Sequence, residues 1–123
     1  MTLLESGEMY LETILILSRE SGFVRAVDIG DYMGYSKPSV SRAMGLLKGD
    51  GYITVSKDGG IELTEKGRLI AEKIYSRHTK LTEFFKNIGV DSETATDDAC
   101  RIEHVISDKT FNALCKHLDE MRR

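Results

Sequence analysis

The hydrophobic period of this chain changes twice. Apolar residues recur at helical spacing up to about residue 48, alternate between residues 52 and 64, and return to helical spacing beyond. One short alternating ribbon between helical stretches restricts the chain to a helical scaffold carrying a small antiparallel hairpin. Tyr10, Ile14 and Leu17 stand at i, i+4 and i+7, which predicts a helix from Ser6 to about Glu20, stopped at Gly22. A short helix is expected over Ala26 to Met33, then a turn at Gly34-Tyr35-Ser36. Pro38 suits the first turn of the next helix, where its missing N–H leaves nothing unsatisfied, and Val40, Met44 and Leu47 form the apolar stripe. Tyr52–Ser56 and Ile61–Thr64 alternate around Lys57-Asp58-Gly59-Gly60, a hairpin with a Gly-rich turn. Helix, short helix, turn, helix, hairpin is the order of a winged helix-turn-helix, which places that unit at residues 1–63.

Residues 64–123 read as all-helical, so the expected fold class is mostly α. Thr64 can cap a long helix to about Asn87, with Ile74, His78, Leu81 and Phe85 inward and Gly89 as its stop. Asp91 or Ser92 then caps a helix to about Ile106, and Ser107 or Asp108 caps a last one ending near Met121. At 123 residues the chain is one domain or two small units sharing a core. Its 41% hydrophobic and 30% charged residues, no Trp and one Pro are those of a folded, helix-rich protein. No apolar run is long enough to span a membrane, and the N-terminal stretch lacks a cleavage signal, so a cytoplasmic protein is expected. Two cysteines are too few for a disulfide framework. A net charge of −3 argues against a general polyanion binder, which makes local charge decisive.

The local exception is segment 36–48. It holds Lys37, Arg42 and Lys48 and no acidic residue. A helix that reads DNA needs donors on one face and apolar residues on the other to dock it. Ser36, Ser39 and Ser41 add short donors near its start, and Lys57 at the hairpin tip is placed to meet a phosphate. The competing reading is an ordinary solvated helix face. The order of the elements weighs more than the charges in favour of DNA.

A second constellation lies in ACRIEHVIS, residues 99–107. Cys100, Glu103 and His104 stand at i, i+3 and i+4, on one helical face. Met9 and Glu12 share another face at i, i+3, and His78 interrupts the apolar side of the long helix. Each alone fits packing or exposure. Together they offer thioether, thiolate, imidazole and carboxylate, the donors of a borderline-soft divalent transition metal, in a number above a closed tetrahedral set. Periodicity leaves open whether these helices converge. Cys115 shares a stripe with Phe111, Leu114 and Leu118 and belongs with the core, whereas His117 falls off it. Cys100 with a histidine also mimics a nucleophile and base, but no orienting group or oxyanion turn accompanies them, so no enzyme is expected.

EMYLETI at 8–14, SKPSVSRAMGLLKGDGYI, LTEKGR at 63–68, RH at 77–78 and DDACRIEHVISD at 97–108 resemble the diphtheria-toxin-repressor family of metal-dependent transcriptional repressors nearly end to end. The last motif is the most specific. The resemblance implies a homodimer whose winged helices bind palindromic operator DNA when Fe(II) or Mn(II) occupies sites between those domains and an all-helical dimerisation domain. Carried over by position, Met9, Cys100, Glu103 and His104 match the iron-responsive ligand set, and Glu12 and His78 match ligands of the manganese-responsive branch. Thr82 and Thr96 stand where the iron branch's accessory site has a carboxylate and a His, with Glu83 adjacent. With no SH3-like domain within residues 1–123, the resemblance is expected to be to the short, manganese-type members in architecture. Soft donors favour Fe(II), with Mn(II) next. Two rivals remain: a metal-independent regulator gated by a small ligand or thiol oxidation, and a metal-storage protein whose helix-turn-helix is only structural.

Overall fold

Short-range signals set the ends of nearly every element in the computed structural model, which describes residues 3–121. The order is α1 (Glu5–Ser21), α2 (Ala26–Met33), α3 (Lys37–Gly49), β1 (Ile53–Val55), β2 (Ile61–Leu63), α4 (Glu65–Asn87), α5 (Ser92–Ile102) and α6 (Asp108–Met121). Gly22 and Gly34 close α1 and α2 in the left-handed conformation, φ 80° and 73°, which costs a residue without Cβ least. Ser36 caps α3 by accepting from Ser39 N, Asp91 caps α5 through Thr94 N, and Ser107 caps α6 through Thr110 N. Contacts divide the chain into two compact units, residues 1–72 and 73–123.

In the first unit α1, α2 and α3 pack around Leu11, Ile14, Val24, Ile29 and Val40, each at most 1% exposed. The Tyr10 ring meets Tyr35 edge-on at 5.8 Å, joining α1 to the α2–α3 turn. The expected hairpin is present but shorter, with Ile53 opposite Leu63 and Val55 opposite Ile61. Its turn closes through Gly59 N to Ser56 O and Ser56 N to Gly60 O, and Ile61 N donates to Val24 O at 2.7 Å. The hairpin is thereby held beside α1, and Met44 and Leu47 turn the buried side of α3 inward. These elements are the helix-turn-helix and wing that the sequence order predicts.

The second unit is built on residues 73–87 of α4, with α5 and α6. Ile74, Leu81, Ala95, Ala99 and Leu118 are its most buried apolar residues. Two details depart from expectation. The inward position between Ile74 and Leu81 belongs to Arg77, 7% exposed, while His78 and Phe85 are half-buried. Helix α5 stops at Ile102 rather than near Ile106, because the carbonyls of Glu103 and Ile106 turn to the Arg77 guanidinium. Cys115 is half-buried beside fully buried Leu118, and His117 is exposed.

Candidate metal centre and nucleic-acid interface

Helix α4 brings His78 to the end of α5. His78 Nδ1 lies 2.9 Å from Glu103 Oε2 and 3.7 Å from Cys100 Sγ. Cys100 and Glu103 face the same way because the helical register persists one residue beyond α5: Glu103 keeps right-handed helical torsions and its N–H donates to Ala99 O. The donor atoms of His78, Cys100 and Glu103 all lie within 4.8 Å of one another, close enough for a single cation. His104, just past the helix end, has its side chain 1% exposed, with Nε2 3.4 Å from Glu103 Oε1. It falls outside the three-residue group but borders it through Glu103.

Glu103 carries the argument for a cation. Its side chain is 1% exposed, and Oε1 makes no hydrogen bond among the described residues. A buried carboxylate oxygen left in that condition costs free energy unless positive charge stands nearby. Here His78 supplies that charge: hydrogen bonds with Cys100 first, then Glu103, push its pKa up to about 10, so near neutral pH the imidazolium holds the site together. A divalent ion at these atoms must displace that proton. Thiolate, imidazole and carboxylate fit a borderline-soft transition metal.

Met9 and Glu12 lie on α1 in the first unit, both half-buried. The accessory positions offer little: Thr82 Oγ donates to His78 O and Thr96 Oγ to Ser92 O, so both hydroxyls are engaged with their own helices. The residue that sequence reasoning passed over is Arg77. Its spacing, i+3 from Ile74 and i−4 from Leu81, marked it as inward-facing, and a cation there requires partners.

In the first unit the cations sort cleanly. Arg19 pairs with Glu72 at 3.8 Å, Arg25 lies 5.0 Å over Phe23, and Lys66 lies 4.3 Å over Tyr52 and donates to Asp50 O. Among the described residues, Lys37, Arg42, Lys48 and Lys57 have no such partner, a condition they share with Arg68 on α4. Four of these five are the cations expected to meet DNA. Ser41 is exposed on the same helix, whereas Ser36 donates to Ser39 Oγ while capping α3, so its hydroxyl is committed to the helix start.

The profile of the iron dependent repressor N-terminal DNA binding domain matches residues 2–61, and that of the iron dependent repressor metal binding and dimerisation domain matches residues 64–123. The chain belongs to the iron-dependent repressor family. Within that family, the diphtheria toxin repressor of Corynebacterium diphtheriae is 32% identical over 98% of this chain and 54% of its own length. The HTH-type transcriptional regulator MntR of Bacillus subtilis is 36% identical over 83% of this chain and 72% of its own length. The chain thus spans about half the length of the diphtheria toxin repressors it matches. The solved structure of the manganese regulator SloR superposes with TM-score 0.81 at 28% identity, over 97% of this chain and 55% of that one. No helix among the described residues is long and apolar enough to cross a membrane.

Proposed function

We propose that the protein is a metal-dependent transcriptional repressor that binds palindromic operator DNA as a homodimer when Fe(II) or Mn(II) is bound, and so controls genes of metal homeostasis. The observation that carries this is the buried, incompletely bonded Glu103 carboxylate between His78 and Cys100, in a chain whose helix α3 and hairpin carry four cations, Lys37, Arg42, Lys48 and Lys57. Membership in a family with DNA-binding and metal-binding domains supports it.

His78, Cys100 and Glu103 are the core of the proposed ligand set, with His104 beside them. Met9 and Glu12 on α1 are also proposed as metal ligands, from the resemblance of EMYLETI alone. Helix α3, which packs on α1 within the first unit, is the proposed reading helix. In a two-fold dimer, two such helices must match two half-sites. The bound metal supplies positive charge to Glu103; the protein supplies a soft donor, Cys100, that ranks Fe(II) above Mn(II). Ser41, Arg42, Lys37, Lys48 and Lys57 are the proposed DNA contacts.

The test is fluorescence anisotropy of labelled DNA from the protein's own promoter, under anaerobic conditions, with excess random DNA and with chelator, Fe(II), Mn(II) or Zn(II). Tighter binding with Fe(II) or Mn(II), altered in Cys100→Ser, is the expected result. A second reading has one observation in its favour: Cys100 is exposed and 3.7 Å from an imidazole, as a thiol gated by oxidation requires. That reading demands equal operator affinity with and without chelator while oxygen is absent.

A further inference from the structure

The backbone of the turn that carries Glu103 is fastened to α4 by the Arg77 guanidinium. Arg77 Nη1 donates to Glu103 O at 3.1 Å and to Ile106 O at 2.9 Å, and its Nη2 meets the Asp108 carboxylate. The guanidinium lies 5.6 Å from the centre of the Phe111 ring, on the first turn of α6. One fork thus ties together the end of α5, the connecting turn and the start of α6. Lys73, four residues before Arg77 on α4, reaches the same carboxylate at 3.4 Å.

Arg77 precedes His78 on α4, so the helix that presents one donor also anchors the backbone of another. The Glu103 carbonyl is among the last of α5 and has no helical N–H to accept from. Without the guanidinium, that carbonyl and the one at Ile106 must find water, and the turn would be free to move against α4. Glu103 Oε2 would then leave His78 Nδ1, because the two sit on different elements. A charged donor serving two carbonyls and a carboxylate is also a geometry that lysine, a point charge, cannot reproduce.

We infer that Arg77 is a positioning residue for the metal centre, holding the 103–108 turn so that the Glu103 carboxylate stays aligned with His78 and Cys100. This rests on the metal-centre reading above. Outer-shell groups that orient ligands change metal affinity by about 10- to 100-fold when removed. A merely structural arginine would lower stability and leave the properties of the bound metal unchanged.

The experiment titrates the full chain anaerobically with Co(II) alone, following the thiolate-to-metal charge-transfer band of Cys100 and the visible ligand-field bands. Wild type is compared with Arg77→Lys and with Asp108→Asn, which leaves the guanidinium in place but removes its exposed carboxylate partner. Far-UV circular dichroism of each chain under chelator confirms the helices. The expected result is about a 10- to 100-fold loss of Co(II) affinity in Arg77→Lys, with shifted ligand-field bands, and a smaller loss in Asp108→Asn. Wild-type affinity and wild-type bands in both variants would overturn the positioning role. So would weaker binding with unaltered bands that only tracks a lower melting temperature. A wild-type chain that develops no thiolate band would instead remove the metal centre itself, and the role of Arg77 with it.

Discussion

His78 is the residue on which proton and metal compete. In the ion-free protein its hydrogen bonds with Cys100 and Glu103 raise its pKa to about 10, above the ordinary value of 6.5. A raised pKa adds stability in full below about pH 6.5, and that contribution is lost as the pH rises towards 10. Chemical unfolding under chelator is therefore expected to show stability falling across this window, and His78→Asn to flatten the profile. An unchanged slope in the variant would refute the assignment. Because a metal displaces the same proton, metal binding should weaken as the solution is acidified. Among the proposed ligands, Glu103→Gln and His104→Ala should abolish metal-dependent DNA binding with the helices intact; retained activation in both would remove these two from the set. At the DNA face, Arg42→Ala should cost about 1–3 kcal/mol and relax base preference at one operator position, since a guanidinium fork matches the O6 and N7 acceptors of guanine. Lys57→Ala should weaken all sequences alike and lower the salt slope by about one. A base-specific effect from Lys57 would contradict this division.

At the scale of elements, the start of α4 shows how a local signal and a tertiary contact combine. Thr64 caps the helix through Gly67 N, and its hydroxyl also donates to Gly51 O at 2.7 Å. Thr64 N meanwhile donates to Tyr52 O, which draws the first turn of α4 against the chain leading into β1. Gly67 lies so close that a Cβ there would stand 2.1 Å from Tyr52 O. Because the obstacle is backbone rather than a movable side chain, Gly67→Ala should destabilise the first unit by about 3 kcal/mol or more. A urea midpoint equal to wild type would show that the approach is looser than this. The LTEKG stretch announced the cap and not the crowding, since no periodicity records a contact between a helix and the backbone 15 residues before it. The premature end of α5 has the same origin: helical spacing through Ile106 was real, but a buried guanidinium on another helix offered those carbonyls a better partner.

For the whole molecule the proposed function makes a thermodynamic demand. If metal and operator act on one equilibrium, the factor by which Fe(II) tightens operator binding must equal the factor by which operator tightens Fe(II). Anisotropy titrations with and without metal, and metal titrations with and without DNA, check this equality; unequal factors would show that a further coupled process intervenes. Much of this protein was already determined by its residues in order. The period change, the glycine stops and the Ser36, Asp91 and Ser107 caps specify helix-turn-helix, hairpin and helices, because these signals act within one turn of the chain. The basic face of α3 was readable for the same reason. Tertiary structure alone decided that His78 stands within hydrogen-bonding distance of Glu103, 25 residues away, and that Arg77 rather than an apolar residue fills the inward position between Ile74 and Leu81. Spacing along a helix tells which side chains share a face, but which faces meet is settled only when buried charges find partners across helices that the sequence leaves independent.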